Sequence, residues 1–155
     1  MNEFSIIKKY FSRISRKNKG AFALSDDVFF DYKKKIGISI DTFIEGTHFL
    51  NFKKPALVIK KVLRASISDL ICKGINPKYY FISMSCNNKH LTKRNISKII
   101  LALKQEQKKY NIALSGGDIT RSNILSITIS SLGYSKKPPI LRNGAKINDD
   151  IYITN

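Results

Sequence analysis

The sequence has 155 residues, of which 43% are hydrophobic, enough for the core of one globular domain and too many for wholesale disorder. No apolar run reaches the about 18 residues that a transmembrane helix needs, and the charged N-terminus lacks the apolar stretch of a secretory signal. Two cysteines, Cys72 and Cys86, lie apart in the chain, which argues against a disulfide framework or a zinc site and favours a reducing, cytoplasmic setting.

The net charge is +17, from 28 basic and 11 acidic residues. One interpretation is a nucleic acid or another anionic partner. The other is a lysine-rich solvated surface, because the lysines are scattered and do not alternate with aromatic residues. We favour the second interpretation, in which part of this charge still helps to attract phosphorylated substrates.

The first part of the chain predicts one short helix and two strands. Residues 3–12 favour a helix, and a basic loop follows that ends near Gly20. Residues 21–32 and 35–42 are rich in Phe, Ile and Val and predict two strands joined by a lysine turn. Residues 43–54 are expected to form a loop.

A long helix is predicted to begin at Pro55, which suits a first helical turn, and to stop at Gly74. Its apolar residues recur with helical spacing at Ala56, Ile59, Leu63, Ile67 and Leu70. Residues 78–86 then predict a strand. A second helix is expected after Thr92, a suitable N-terminal cap, with an apolar stripe of Ile96, Ile99, Ile100 and Leu103.

The last part of the chain predicts further strands. Residues 112–114 favour a short strand that leads into a turn at Gly116-Gly117-Asp118, residues 124–133 favour another strand, and residues 151–154 favour the start of a final one. Several strands with two long helices predict an α+β fold, an α/β sandwich in which the helices pack on one face of a mixed sheet.

The few acidic residues fall at expected strand ends, a helix end and a glycine turn: Asp26, Asp27, Asp41, Glu45, Asp69 and Asp118. Carboxylates that converge repel one another unless a cation joins them, and ligand sets made only of oxygen favour Mg²⁺ or Ca²⁺. The pattern is therefore compatible with a metal–phosphate site. The alternative, that these acids cap helices and turns, stays open on this evidence.

The order of short motifs is more specific than any one of them. Ser25-Asp26-Asp27, Ser39-Ile40-Asp41-Thr42 and Glu45-Gly46-Thr47-His48-Phe49 resemble the GDDAA, STD and EGxHF segments of the thiamine-monophosphate kinases. Ser66-Ile67-Ser68-Asp69-Leu70 resembles the NLSDL helix of that family, Gly116 to Arg121 its GGDTTR turn, and the segment from Leu141 to Tyr152 its RSGAxPGDxIYVTG ending.

This resemblance implies a PurM N-terminal-domain-like fold, that of the aminoimidazole-ribonucleotide-synthetase superfamily. Residues 1–155 would be the N-terminal, ATP- and Mg²⁺-binding and dimerisation domain, without the C-terminal domain of the family. The implied reaction transfers the γ-phosphoryl group of ATP to thiamine monophosphate, giving thiamine diphosphate. The implied partners are ATP, thiamine monophosphate, a second copy of the chain and a separate C-terminal domain, without nucleic acid or membrane.

The resemblance also implies roles for single residues. Asp27, Ser39, Ile40, Asp41, Asp69 and Asp118 match positions that hold several Mg²⁺ ions, His48 matches a position that contacts thiamine phosphate, and Asp27, Tyr110, Gly117, Asp118 and Arg142 match positions that bind ATP. No side chain is implied as a catalytic base, because phosphoryl transfer of this kind is metal-assisted and direct.

The chain departs from the family at several positions. Ser25 replaces a glycine, and Ile40 replaces a hydroxyl ligand, although its backbone carbonyl can still serve. The alternatives are another ATP-using member of the superfamily, a catalytically inactive dimerisation remnant, and a basic nucleic-acid-binding protein. The aspartate motifs argue against the last of these, because carboxylates without metal repel phosphate.

Overall fold

A five-stranded sheet covered on one face by two long helices organises the chain. This computed structural model describes residues 2–153. In chain order, the elements are α1 (Glu3–Ile6), which continues as a π-helical turn (Ile7–Phe11), a 3₁₀ segment (Lys19–Leu24), β1 (Phe29–Asp31), β2 (Ile36–Ile44), α2 (Pro55–Cys72), β3 (Asn76–Cys86), α3 (Lys93–Tyr110), β4 (Ala113–Arg121) and β5 (Ser126–Tyr134).

The sheet has the strand order β1-β2-β5-β3-β4. β3 and β4 are parallel and are joined through α3, whereas the other neighbours pair antiparallel. The sheet is therefore mixed, and the predicted fold class is confirmed.

The core lies between the sheet and the two helices. α2 begins at Pro55 and ends before Gly74, whose φ of +72° lies in the left-handed region that glycine adopts without strain. It buries Ile59, Val62 and Leu63 against strand residues such as Tyr80, Ile127 and Ile129. The predicted helix and its boundaries are confirmed.

α3 begins as predicted, with the Thr92 hydroxyl accepting a hydrogen bond from the Asn95 amide at 3.3 Å. Its predicted apolar stripe is only half right. Ile99 and Leu103 are buried, but Ile96 and Ile100 are exposed, and Ile96 borders an open cavity between α3 and β4.

The strand predicted over residues 21–32 is wrong for most of its length. Residues 19–24 form a 3₁₀ segment in which Phe22, Ala23 and Leu24 have positive φ, a conformation that cannot continue a strand. Only Phe29–Asp31 form β1. Asp26 and Asp27 therefore lie in the turn before β1, and Asp41 lies inside β2, three residues before its end.

The turn predicted at Gly116-Gly117-Asp118 is also wrong, because all three residues belong to β4. A Cβ on Gly117 would overlap the carbonyl oxygen of Ile82, so the glycine allows β3 and β4 to approach closely. The strand predicted over residues 151–154 is not formed by residues 151–153, and Thr154 lies outside the described residues.

Neither α2 nor α3 covers the opposite face of the sheet. Exposed apolar side chains on this face include Ile38, Ile40, Tyr79, Phe81 and Tyr134. Within residues 2–153, no helix has both the length and the apolar character needed to cross a membrane.

Candidate functional site

An acidic cavity of about 410 Å³ lies beside the outer edge of β2. β1 pairs with β2 only along Ile36–Ile38, so the edge is left uncovered from Ser39 onward. The cavity lies at this uncovered edge and is lined by Glu3, Phe4, Ile7, Phe11, Leu24, Ser25, Asp26, Asp27, Ile40, Asp41, Asp69 and Arg142. The first helix, the turn before β1, β2, the end of α2 and the C-terminal segment thus all contribute to one site.

Asp41 and Asp69 form the centre of this cavity. Asp41 lies on β2 and Asp69 on the last turn of α2, and their carboxyl groups lie close enough for each to change the pKa of the other. Burial, followed by the negative charges of Asp41 and Asp27, raises the pKa of Asp69 to about 6. Burial also raises the pKa of Asp41, against the opposing effect of hydrogen bonds with Ser66 and Asp69. A cation in the cavity would relieve this repulsion.

Asp27 lies opposite this pair and is held by a basic side chain from far along the sequence. The Arg142 guanidinium forms an ion pair with the Asp27 carboxylate. The backbone amide of Arg142 also donates to the Asp26 Oδ2 atom at 3.1 Å. These two contacts attach the C-terminal segment to the turn before β1 and place a positive charge at the cavity.

Asp26 differs from its neighbour because it is withdrawn from solvent. Its Oδ1 atom lies 2.7 Å from the Lys73 Nζ atom, with the lysine and aspartate side chains only 6% and 3% exposed. Burial alone would raise the pKa of Asp26, but hydrogen bonds from Lys73 and from the Arg142 and Asp27 amides outweigh it and lower the pKa.

The donor chemistry of the cavity suits a hard divalent cation. Asp27, Asp41 and Asp69 offer only oxygen atoms, and burial together with neighbouring negative charge raises the pKa of Asp41 and Asp69. Within residues 2–153, however, no three His, Cys, Asp or Glu side chains converge closely enough to hold one ion. The three carboxylates are therefore not assembled around one ion: Asp41 and Asp69 lie together, and Arg142 pairs with Asp27. Their oxygen atoms still fit Mg²⁺, which binds to a few carboxylates and takes its remaining ligands from water and phosphate oxygens.

Two predicted metal residues on β2 have different surroundings. The Ser39 hydroxyl is buried and donates to the Ser66 carbonyl at 3.3 Å, so it supports the packing of α2 on the sheet. Ile40 lines the cavity and is 68% exposed. The main chain of Ile40 runs along the uncovered edge of β2, which agrees with a role for its carbonyl group.

The structure does not bring Asp118, Gly117 or Tyr110 into this cavity. Asp41 on β2 lies beside Ile129 on β5, Ile129 lies beside Ile82 on β3, and Ile82 lies beside Gly117 on β4. Three strand spacings, about 14 Å, therefore separate Asp41 from Gly117. Asp118 and Gly117 border a separate, apolar cavity between α3 and β4. Tyr110 ends α3, with the Lys109 ammonium 5.2 Å from its ring. Their predicted roles stay predictions.

His48 lies on the exposed loop that follows β2. Its Nδ1 atom accepts a hydrogen bond from the Ile44 amide at 3.0 Å, and its ring packs edge-on against Phe43. Because Ile44 is three residues beyond Asp41, the histidine lies about 10 Å along β2 from the acidic pair. That distance allows an extended phosphorylated ligand to reach both.

Sequence reasoning missed two residues that position the site. Lys73 pairs with Asp26, and its only sequence signal is a lysine beside the apolar residues at the end of a helix. His90 is buried with its Nε2 atom 3.4 Å from the Glu45 Oε2 atom, while the Phe52 amide donates to Glu45 Oε1 at 2.9 Å. This contact holds the loop that carries His48.

Comparison with known families gives one match over most of the chain. The family described as AIR synthase related protein, N-terminal domain, matches residues 24–135. The matched part runs from the turn before β1 to the end of β5 and so contains the whole sheet.

Several curated relatives are thiamine-monophosphate kinases. The enzyme from Buchnera aphidicola subsp. Acyrthosiphon pisum is 38% identical over 162 residues, covering 98% of this chain and 48% of that protein. The enzyme from Haemophilus influenzae is 34% identical over 159 residues, covering 99% of this chain and 48% of that protein. The chain thus spans about half the length of the curated relatives it matches.

Solved structures agree with this similarity. A structure described as AaThiL complexed with AMPPCP and TMP superposes with a TM-score of 0.79 at 26% identity, over 93% of this chain and 45% of that chain. Thiamine monophosphate kinase from Aquifex aeolicus superposes with a TM-score of 0.72 at 24% identity, over 94% of this chain and 48% of that chain, and supports the fold.

Proposed function

Because the chain belongs to the family described as AIR synthase related protein, N-terminal domain, we propose that it supplies the Mg²⁺- and ATP-binding half of a thiamine-monophosphate kinase. The reaction transfers the γ-phosphoryl group of ATP to thiamine monophosphate and yields thiamine diphosphate and ADP. The observation that carries the proposal is the cavity lined by Asp27, Asp41 and Asp69. The chain that forms this cavity is similar to thiamine-monophosphate kinases.

In this proposal the three aspartates hold Mg²⁺ through carboxylate oxygens, and the backbone carbonyl of Ile40 is available as a further ligand. Bound Mg²⁺ supplies charge neutralisation for two polyanions that would otherwise repel each other. The attacking group is a phosphate oxygen that is already anionic, so a strong protein base is unnecessary. This agrees with a cavity that offers aspartates and an arginine.

Arg142 is proposed to bind the nucleotide. Its guanidinium already lies at the cavity, where it pairs with Asp27. If Asp27 held Mg²⁺, the Arg142 guanidinium would be free to donate to phosphate oxygens, for which its planar fork is well suited. His48, on the loop after β2, is proposed to contact thiamine monophosphate. The assignments of Tyr110, Gly117 and Asp118 rest on the resemblance of their segments alone.

We further propose that the chain forms a homodimer and that it works together with a second domain. An exposed apolar sheet face supports the dimer, and the half-length match to the relatives supports the second domain. We also propose that the protein works in the cytoplasm, which agrees with the free thiols of Cys72 and Cys86.

The test is calorimetric binding of the ATP analogue AMPPCP with and without Mg²⁺. We expect binding only with Mg²⁺, and at least a tenfold loss of affinity for Asp41→Asn, because the amide removes one charged ligand. Asp31→Asn is the matched control, since Asp31 caps the β1–β2 turn by accepting from the Lys33 and Lys34 amides, outside the cavity. Equal affinities for the wild-type and Asp41→Asn proteins would contradict the metal assignment.

A further inference from the structure

A buried ion pair lies directly behind the acidic cavity. Lys73 follows the last turn of α2 and Asp26 lies in the turn before β1, with 2.7 Å between the Nζ and Oδ1 atoms. Both side chains are more than nine-tenths buried. Nothing in the proposed reaction uses this lysine.

The carboxylate of Asp26 is fully engaged on the protein side. Its Oδ1 atom accepts from Lys73 and from the Asp27 amide at 2.9 Å, and its Oδ2 atom accepts from the Arg142 amide at 3.1 Å. Asp26 therefore fixes the main chain at both residues whose side chains form the ion pair at the cavity. It has little capacity left for a metal ion.

Lys73 also reaches the C-terminal segment through its own backbone. The Lys73 carbonyl accepts from the Ile140 amide at 3.1 Å, two residues before Arg142. One lysine thus holds the turn before β1 by its side chain and the C-terminal segment by its backbone. The side-chain contact has a large energetic role, because a buried carboxylate without its partner is strongly destabilising.

We propose that Lys73 is a positioning residue: through Asp26 it fixes the main chain of Asp27 and Arg142 and thereby sets the affinity of the cavity for Mg²⁺ and nucleotide phosphate. This inference rests on the proposed function, because it names a residue that prepares the same site. Groups that orient metal ligands from behind typically change metal affinity by about 10- to 100-fold when they are removed.

The test compares Lys73→Met with Arg64→Met. Both substitutions leave a buried carboxylate without its cation, since Arg64 pairs with Glu106 at 2.7 Å and the Glu106 side chain is 2% exposed. The Arg64–Glu106 pair joins α2 to α3 outside the cavity and serves as the matched control. The measurements are calorimetric affinity for Mg²⁺–AMPPCP and the rate of trypsin cleavage after Arg142.

We expect Lys73→Met to weaken Mg²⁺–AMPPCP binding by about tenfold or more and to speed cleavage after Arg142. Arg64→Met should change neither quantity, although both variants lose stability. Equal affinity and equal cleavage for the wild-type and Lys73→Met proteins would overturn the inference. Absence of Mg²⁺–AMPPCP binding by the wild-type chain would instead overturn the proposed function.

A second variant covers the case in which Lys73→Met does not fold. Asp26→Asn combined with Lys73→Met removes both buried charges, so the stability should largely return. The Asp27 and Arg142 amides donate to different oxygen atoms of Asp26, and the Asn side chain replaces one of these oxygens with an NH₂ group, so one of the two contacts is lost. Affinity should stay below that of the wild-type chain, and full recovery of affinity would show that the pair is merely structural.

Discussion

Asp69 combines two properties that oppose each other. Its position on the last turn of α2 brings it close to Asp41 and Asp27, which suits a cation, but the same position raises its pKa to about 6. A carboxyl group with a raised folded pKa binds its proton more tightly in the folded state than in the unfolded state. In the metal-free protein, the stability contributed by this proton is present below about pH 4 and is lost as the pH rises towards 6.

We therefore predict that Asp69→Asn stabilises the metal-free protein at pH 7.5. A shift of about two pKa units corresponds to about 3 kcal/mol, which solvent screening of this half-buried group reduces to about 1 kcal/mol. Urea unfolding between pH 4 and pH 7.5 measures the effect, and the gain should shrink towards pH 4. A gain that is independent of pH would contradict the assignment of this effect to ionisation.

Residues of the site differ in how far the sequence predicted them. Asp27, Asp41 and Asp69 stand in motifs, so resemblance identified them, and the structure places all three at one cavity. The contacts of Lys73 with Asp26 and of Arg142 with Asp27 join segments distant in the chain. Hydrophobic periodicity carries no signal for such pairs, because they depend on how α2 and the C-terminal segment meet in the folded chain.

At the scale of elements, α2 and α3 were predictable because each carries an apolar period of about 3.6 residues together with a recognisable start. The segment from Ala21 to Val28 was not, since its apolar residues also favour a strand. Positive φ at Phe22, Ala23 and Leu24 gives a tight turn there instead. In the sequence, Gly116 and Gly117 favour a turn, but in the structure they allow β4 to approach β3 closely. This second role of glycine can be recognised only when the neighbouring strand is known.

The N-terminal cap of α3 provides a prediction about stability alone. Thr92→Ala removes the acceptor for the Asn95 amide and should cost about 1 kcal/mol of unfolding free energy. Ser97→Ala, inside the same helix, is the comparison, because alanine is the better helix former and the cap is untouched. Denaturant unfolding measures both, and Mg²⁺–AMPPCP affinity should stay unchanged. Equal stability of the two variants would contradict the role of the cap.

At the scale of the whole molecule, the sheet is covered unequally. One face is buried beneath α2 and α3 except along β4, and the other exposes apolar side chains among the described residues, including Phe81 at 42% exposure. Large exposed apolar patches are typical of interaction surfaces. The proposed homodimer would cover it.

We predict that light scattering will show a dimer at micromolar concentration and that Phe81→Glu will give a monomer, because a charge would have to be buried in the contact. Leu57→Glu is the control, since Leu57 is exposed on α2, on the helical side. A wild-type monomer at high concentration would contradict the proposed contact. A dimer disrupted equally by both variants would point to a different surface.

The shortness of β1 controls how easily a ligand enters the cavity. Because pairing with β2 stops at Ile38, the main chain at Ile40 and Asp41 stays open to the cavity. A hairpin two residues longer would continue the same register, place Asp27 opposite Ile40 and cover that edge. Two proteins with the same aspartates could thus differ in whether a ligand enters at all, and the length of one peripheral strand would set that difference.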